Sequence, residues 1–317
     1  MGVNITNPTA GFAAGVEQVW GFGRDTGIES KVFLAPGAKI FYVDPNNAQA
    51  VDFGNLGEDP TVPLATVQAA VTLSRDHRGD VIVVGPNDAW QYSPSNRPLP
   101  IAESVVIPRT KGGITLIAAA TNPYGCQWQA GADSEYCLTV NAIDVTVDGF
   151  LFYEPGTLTG TSGILADWNG VTANGENLTV RNCVFNILDY GISLDYAWFN
   201  QIYNNQFLGC TVAAIFNVAT TGDSGYSHIH NNDFHENVLA ISLPGAIENH
   251  VWNNRIFGDP TGAVNYIDFT DGATGDNLVT GNWLACTLAQ YAVTCADGVG
   301  DIWVQNYCSD GPTIANP

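Results

Sequence analysis

Val180-Arg-Asn-Cys-Val-Phe185, Ile202-Tyr-Asn-Asn-Gln-Phe207, Ile229-His-Asn-Asn-Asp-Phe234, Val251-Trp-Asn-Asn-Arg-Ile256 and Val279-Thr-Gly-Asn-Trp-Leu284 are five versions of one phrase. Each opens on a β-branched residue, passes through Asn or Gly, and leaves on a large apolar residue. The copies start 22, 27, 22 and 28 residues apart, and a weaker sixth copy is Trp303-Val-Gln-Asn-Tyr307. A second family of short strands keeps the same beat: Ile164, Ile192, Ile215, Ile241 and Ile267 follow one another at steps of 28, 23, 26 and 26.

Two strand families sharing a period of roughly 25 residues, with no room for a helix between them, describe a solenoid whose rungs bury their apolar sides on one another. Asn205, Asn232, Asn254, Asn282 and Asn306 then recur for a reason. At a tight corner an Asn amide bonds to the Asn of the next rung, and Asn tolerates left-handed backbone angles. A leucine-rich repeat needs regular Leu spacing and a propeller a longer period, so neither fits. The phrases resemble the right-handed parallel β-helix superfamily, the pectate-lyase-like fold with NosD-like repeats, which also takes in many phage tailspike and virion proteins. The resemblance covers residues 40–308 and implies an all-β, single-stranded right-handed parallel β-helix. It specifies a fold far better than a function.

Composition agrees with this architecture: 45% apolar residues, 34 Gly, 13% charged residues and a single Met suit a Gly- and Asn-cornered β protein. The net charge is −21, and from residue 138 onward eighteen Asp and Glu face two basic residues, Arg181 and Arg255. With nothing basic to neutralise phosphates, nucleic acid and acidic membrane surfaces are excluded as partners, and polyanionic glycans are disfavoured. The opening Met1-Gly-Val-Asn-Ile-Thr has neither a basic nor an apolar leader region, so no signal peptide is expected. No apolar run reaches membrane-spanning length. The seven cysteines are an odd number; Cys126 with Cys137 and Cys286 with Cys295 bracket loops and are the pairs that would bridge, against buried thiols as the plainer reading.

In chain order, residues 1–39 carry no period and are expected to form an extended arm across a neighbouring subunit or along the column. The strand Ile40-Phe-Tyr-Val43 follows, and Leu64, Val67, Ala70, Val71 and Ser74 then mark one helical stripe, predicting a helix over 64–75. Such a helix would cap the open end of the core, as in proteins of the resembling superfamily. Rungs then continue to 308, about nine of them and about 45 Å tall at about 4.8 Å each, and 309–317 form a polar tail.

Candidate sites follow from strand alternation. With Ile164 and Ile192 facing in, Asp167 and Asp195 face out on adjacent rungs, with Asp189 expected nearby in the preceding corner. A carboxylate pair about 5 Å apart suits a retaining glycosidase or a calcium ion; a solvated acidic edge is the competing reading. His228 and His250 hold equivalent positions and are expected to stack, with His230 on the same face, so three imidazoles would offer a zinc or copper site. Tyr203, His230 and Trp252 form an outward row of flat rings able to stack sugars, contact a subunit, or merely stack on each other. Lyases of the resembling superfamily use Arg or Lys near calcium-binding carboxylates. Here Arg181 and Arg255 are three repeats apart, about 14 Å by rung counting, so no lyase site carries over.

The resemblance, an extracellular style of composition without a secretion signal, the coreless N-terminal arm and the lack of a recognisable catalytic set imply a phage virion structural protein: a head-decoration, spike or tail component made in the host cytoplasm and docked through its N-terminal arm. Its partners would be its own copies, as a homotrimer, and other virion proteins. The rival is a glycoside hydrolase or polysaccharide lyase, and a third reading is a glycan-binding adhesion module.

Overall fold

The computed structural model describes residues 17–20, 31–86, 100–120, 123–167, 175–217, 224–258, 265–270, 275–288, 290–291, 295–296, 298, 300–312 and 317. Three sheets hold ten, ten and eight strands among these residues. Successive strands go to the first, second and third sheet in turn, so that eight complete coils form, with Ile40–Val43 before them and Ile302–Val304 and Tyr307–Cys308 after. All neighbours in these sheets are parallel except the closing pair Tyr307–Cys308 and Gly311–Pro312. The protein is a parallel β-helix.

The register is the one the Ile spacing predicts. Ile164, Ile192, Ile215, Ile241 and Ile267 are direct neighbours up the third sheet, continued below by Leu138 and above by Cys295. Val180, Ile202, Ile229, Val251 and Val279 form the matching file of the first sheet. In the second sheet Phe152, Phe185, Phe207 and Phe234 stack with ring centroids 5.2, 4.8 and 4.8 Å apart. Each such pair contributes about 0.5 to 1.5 kcal/mol beyond its area burial. Because a one-residue slip would turn every file outward, these three columns lock the register together.

The Asn corners divide two jobs that the sequence reading gave to one residue. Asn205, Asn232, Asn254 and Asn282 each send their backbone N–H and Nδ2 to Oδ1 of the next Asn, ending on Asn306. The left-handed backbone belongs instead to the residue before: Asn182, Asn204, Asn231, Asn253, Gly281 and Gln305 all have φ between 54° and 68°. That preceding residue makes the bend, which leaves the buried Asn free to bond along the column.

The capping helix is shorter than predicted, Val67–Leu73, because Thr66 is extended and acts as N-cap, its side chain accepting from the Ala69 N–H. The predicted stripe is nevertheless buried, with Leu64 just outside the helix and bridged to Val43. The Glu103 carboxylate accepts from the N–H groups of Val67 and Gln68, tying the cap to the first coil. Most of the expected N-terminal arm lies outside the described residues. Its described strands, Glu17–Trp20 and Lys31–Leu34, form an antiparallel hairpin separate from the three sheets. Among the described residues no helix is long and apolar enough to cross a membrane.

Candidate functional site

The outer face of the first sheet carries one continuous file: Asp148, Arg181, Tyr203, His230, Trp252 and Thr280 are neighbours on successive rungs. Arg181 binds Asp148 Oδ2 at 2.9 Å and donates from Nη1 to the Tyr203 hydroxyl at 3.2 Å. Tyr203 and His230 lie 5.1 Å apart with planes 3° from parallel, and His230 and Trp252 lie 4.2 Å apart at 14°. Rings stacked along the column turn their edges outward. The faces a sugar would stack on are therefore taken up by neighbouring rings, and the row works first as a rung-to-rung clamp.

His228 and His250 occupy the next outward file, as expected, yet they do not stack on each other. Their rings are perpendicular, 87° at 6.1 Å, because both turn toward the Trp252 indole, His250 at 4.1 Å and His228 at 5.3 Å. His230 Nδ1 lies 3.0 Å from the Asn231 side-chain amide. Burial and the neighbouring imidazoles His228 and His250 push the His230 pKa down; burial and His228 do the same to His250. Among the described residues no three His, Cys, Asp or Glu side chains converge on a point that could hold a metal ion. The zinc or copper site expected at His228, His230 and His250 is thus replaced by ring packing around an indole.

On the third sheet Asp167 and Asp195 are register neighbours, one rung apart and facing outward. Burial raises both carboxyl pKa values, and Asp167 raises that of Asp195 further. Tyr136 donates its hydroxyl to Ser193 Oγ at 3.0 Å near this pair, and burial, with smaller contributions from these two carboxylates among others, pushes its phenol up. Asp189 does not join them. It precedes the strand Tyr190–Asp195, so six residues of extended chain, about 20 Å, separate it from Asp195. There it accepts from Thr211 Oγ1 at 2.5 Å. Two carboxyls, not three, make the acidic site, and they can share a proton or bind a cation.

Arg181 and Arg255 prove to be on different sheets: Arg255 pairs in register with Asp233 and Trp283 on the second. Neither expected disulfide is formed. Cys126 and Cys137 point their Sγ atoms at the carbonyls of Gly85 and Trp128, and Cys286 approaches Cys308 rather than closing a bond with Cys295.

A second internal ladder escaped the sequence reading. Asn200, Ser227, Asn249, Asn277 and Asp301 are linked coil to coil in the same way, through Ser227 Oγ, Asn249 Oδ1, Asn277 Oδ1 and Asp301 Oδ1. Its signal was present, since each stands five residues before an Asn of the first ladder. Also unforeseen is the apolar end of the column. Trp283 and Tyr307 are register neighbours exposed by 44% and 47%, and Ile302 and Val304 by 55% and 43%.

A family profile described as periplasmic copper-binding protein (NosD) matches residues 115–299. No curated protein sequence matches the chain. Among solved structures, ORF18 of Geobacillus virus E2 superposes with a TM-score of 0.52 at 12% identity, over 84% of this chain and 57% of that one. The chain thus spans little more than half the length of that protein. A rhamnogalacturonan lyase is similar with a TM-score of 0.44 at 12% identity, over 86% of this chain and 74% of that one. A mutant tailspike protein of E. coli bacteriophage HK620 is similar with a TM-score of 0.37 at 14% identity, over 93% and 66%.

Proposed function

The chain belongs to the NosD family, and on that premise we propose that it is a phage virion structural protein, a head-decoration, spike or tail component that works by assembling with copies of itself and with other virion proteins. The observation that carries this reading is the apolar end of the column. Trp283 and Tyr307 end an outward file that the coils just below fill with Gln206, Asp233 and Arg255, and Ile302 and Val304 stand outward directly above Leu278 and Thr280. Large apolar side chains left exposed on the last coils of two sheets are of the kind that protein contacts cover. The segment 1–39 is proposed as a further docking element, and a homotrimer as the assembly.

Copper, the ion in the family description, does not fit the residues present here. The imidazoles pack against Trp252, His230 Nδ1 is engaged by Asn231, and the described residues offer no convergent set of three ligands. No step is derived through it. The second reading, cleavage of a neutral glycan, is favoured by the Asp167 and Asp195 pair, two outward carboxyls one rung apart whose pKa values burial raises.

Light scattering on the full chain tests the assembly. A trimer that dissociates in the double variant Ile302→Ser, Tyr307→Ser supports the reading, and a monomer at micromolar concentration and high salt, where the −21 charge is screened, overturns it. Release of reducing ends from neutral polysaccharides, lost in Asp167→Asn, would favour the enzyme instead.

A further inference from the structure

Cys286 follows the strand Trp283–Leu284, and Cys308 ends the strand Tyr307–Cys308 one coil above. The backbone N–H and the hydroxyl of Ser309 both donate to the Cys286 carbonyl, at 2.8 and 2.9 Å, which sets the two segments side by side. Both side chains are buried, and their Sγ atoms stand 3.7 Å apart. A disulfide needs about 2.04 Å between sulfurs and Cα atoms about 4.4 to 6.8 Å apart. The Ser309 bonds hold the residue next to Cys308 against the Cys286 carbonyl, and rotation of the two side chains would close the 3.7 Å between the sulfurs.

We propose that Cys286 and Cys308 are a covalent cross-link site: in oxidising surroundings they form a disulfide that fastens the last coil to the one beneath it. With glutathione disulfide as oxidant, one cysteine thiolate attacks a glutathione sulfur and expels a glutathione thiolate. The second cysteine sulfur then attacks the mixed disulfide, forming the Sγ–Sγ bond and expelling the second glutathione. The two cysteine protons end on the two glutathione thiols, and two electrons pass from the cysteine pair to the oxidant.

The position gives the bond its purpose. A solenoid opens from its ends, where a coil has a neighbour on one side only. Here the terminal coil also wets Ile302, Val304 and Tyr307. A bond between residues 22 apart in sequence removes freedom from the opened coil while joining groups already in contact. Burial, followed by the neighbouring Cys286, pushes the Cys308 thiol up to about 12. Thiolate is therefore scarce at neutral pH, and the reaction should quicken steadily as pH rises.

The test uses the full chain, purified reduced and then equilibrated with glutathione disulfide at mildly alkaline pH. The expected result is a cross-linked peptide joining Cys286 to Cys308 by mass spectrometry, two fewer titratable thiols than the seven of the reduced chain, and slower proteolysis of the last coil, reversed by dithiothreitol. Cys295→Ser should keep the cross-link. Seven thiols persisting at equilibrium, or a cross-link from Cys295 to either residue, would overturn the proposal. Since the mapping is done on the unsubstituted protein, it stands whether or not a variant folds.

Discussion

Asn205 donates twice to a single oxygen of Asn232, its backbone N–H at 3.0 Å and its Nδ2 at 3.1 Å from Oδ1. Asn232 passes the same pair of bonds to Asn254 and also donates from Nδ2 to the Ile202 carbonyl at 2.9 Å. Every polar atom of this buried side chain is thus used in directions that only an amide supplies. Asn232→Ala leaves two donors on Asn205 without partners in the interior and takes one bond from the Ile202 carbonyl. At about 1 to 3 kcal/mol per stranded group, partly relieved by relaxation, the expected loss is about 3 to 5 kcal/mol. Urea unfolding measures it, and a loss under about 1 kcal/mol would mean the ladder only follows a fold set by the apolar files.

The backbone bend beside that ladder can be tuned separately. Gln305 has φ 55° and Asn231 has φ 55°, a region that costs an ordinary L residue about 1 to 2 kcal/mol and glycine nothing. Gln305→Gly should therefore stabilise the protein by roughly 1 kcal/mol, net of glycine's greater freedom when unfolded. Asn231→Val should destabilise it, since a β-branched residue fits this conformation worst. Thermal melting of the two variants ranks them, and the reverse order would refute the assignment of the bend.

The imidazoles around Trp252 make stability depend on pH. His230 and His250 have folded pKa values below the free value of 6.5, so the unfolded chain takes up protons first as pH falls. Their contribution to stability is complete above about 6.5 and declines as pH drops through the lowered folded values. Melting temperature should fall between pH 7.5 and pH 5, and His230→Gln with His250→Gln should flatten that part of the profile. An unchanged slope in the double variant would show that the histidines are not its source.

The carboxylate pair works in the opposite sense. Asp167 and Asp195 have folded pKa values above the free value of 3.8. Their favourable contribution is therefore fully present below 3.8 and disappears as pH rises through the folded values. At neutral pH Asp195→Asn removes the repulsion and should stabilise modestly, by less than about 1 kcal/mol for half-exposed charges, with no gain at pH 3. Calcium offers a second readout. If the pair binds it, millimolar calcium raises the melting temperature of the unsubstituted protein and leaves that of the variant where it was.

Much of the architecture is legible in the sequence because its chief files consist of near-identical residues at near-constant steps. Ile192 over Ile164 and Asn232 over Asn205 follow from counting alone. The ladder through Ser227 and Asp301 was hidden by chemical variety, since amide, hydroxyl and carboxylate take the same place. The site was less legible, because strand alternation tells which side a residue faces but not how its ring turns. His228 and His250 were assigned to the correct face, yet the bulk of Trp252 decided their orientation. Asp189 stands apart from Asp195 because a corner adjacent in sequence is the far end of a strand in space. Arg181 and Arg255 fall on different sheets because the short repeated phrase itself crosses from the first sheet to the second.

The bonds of the Asn file are local: each residue answers only to the coil directly above and the coil directly below. At its lower end the Cys183 N–H donates to Asn205 Oδ1 just as each Asn donates to the next. Excising residues 205–231 would present Asn232 to Cys183 in the same role, closing the gap with an equivalent part. The molecule behaves in this respect as a ruler graduated in steps of about 4.8 Å. Duplicating or losing a single repeat in the gene would adjust its reach while leaving both ends as they are.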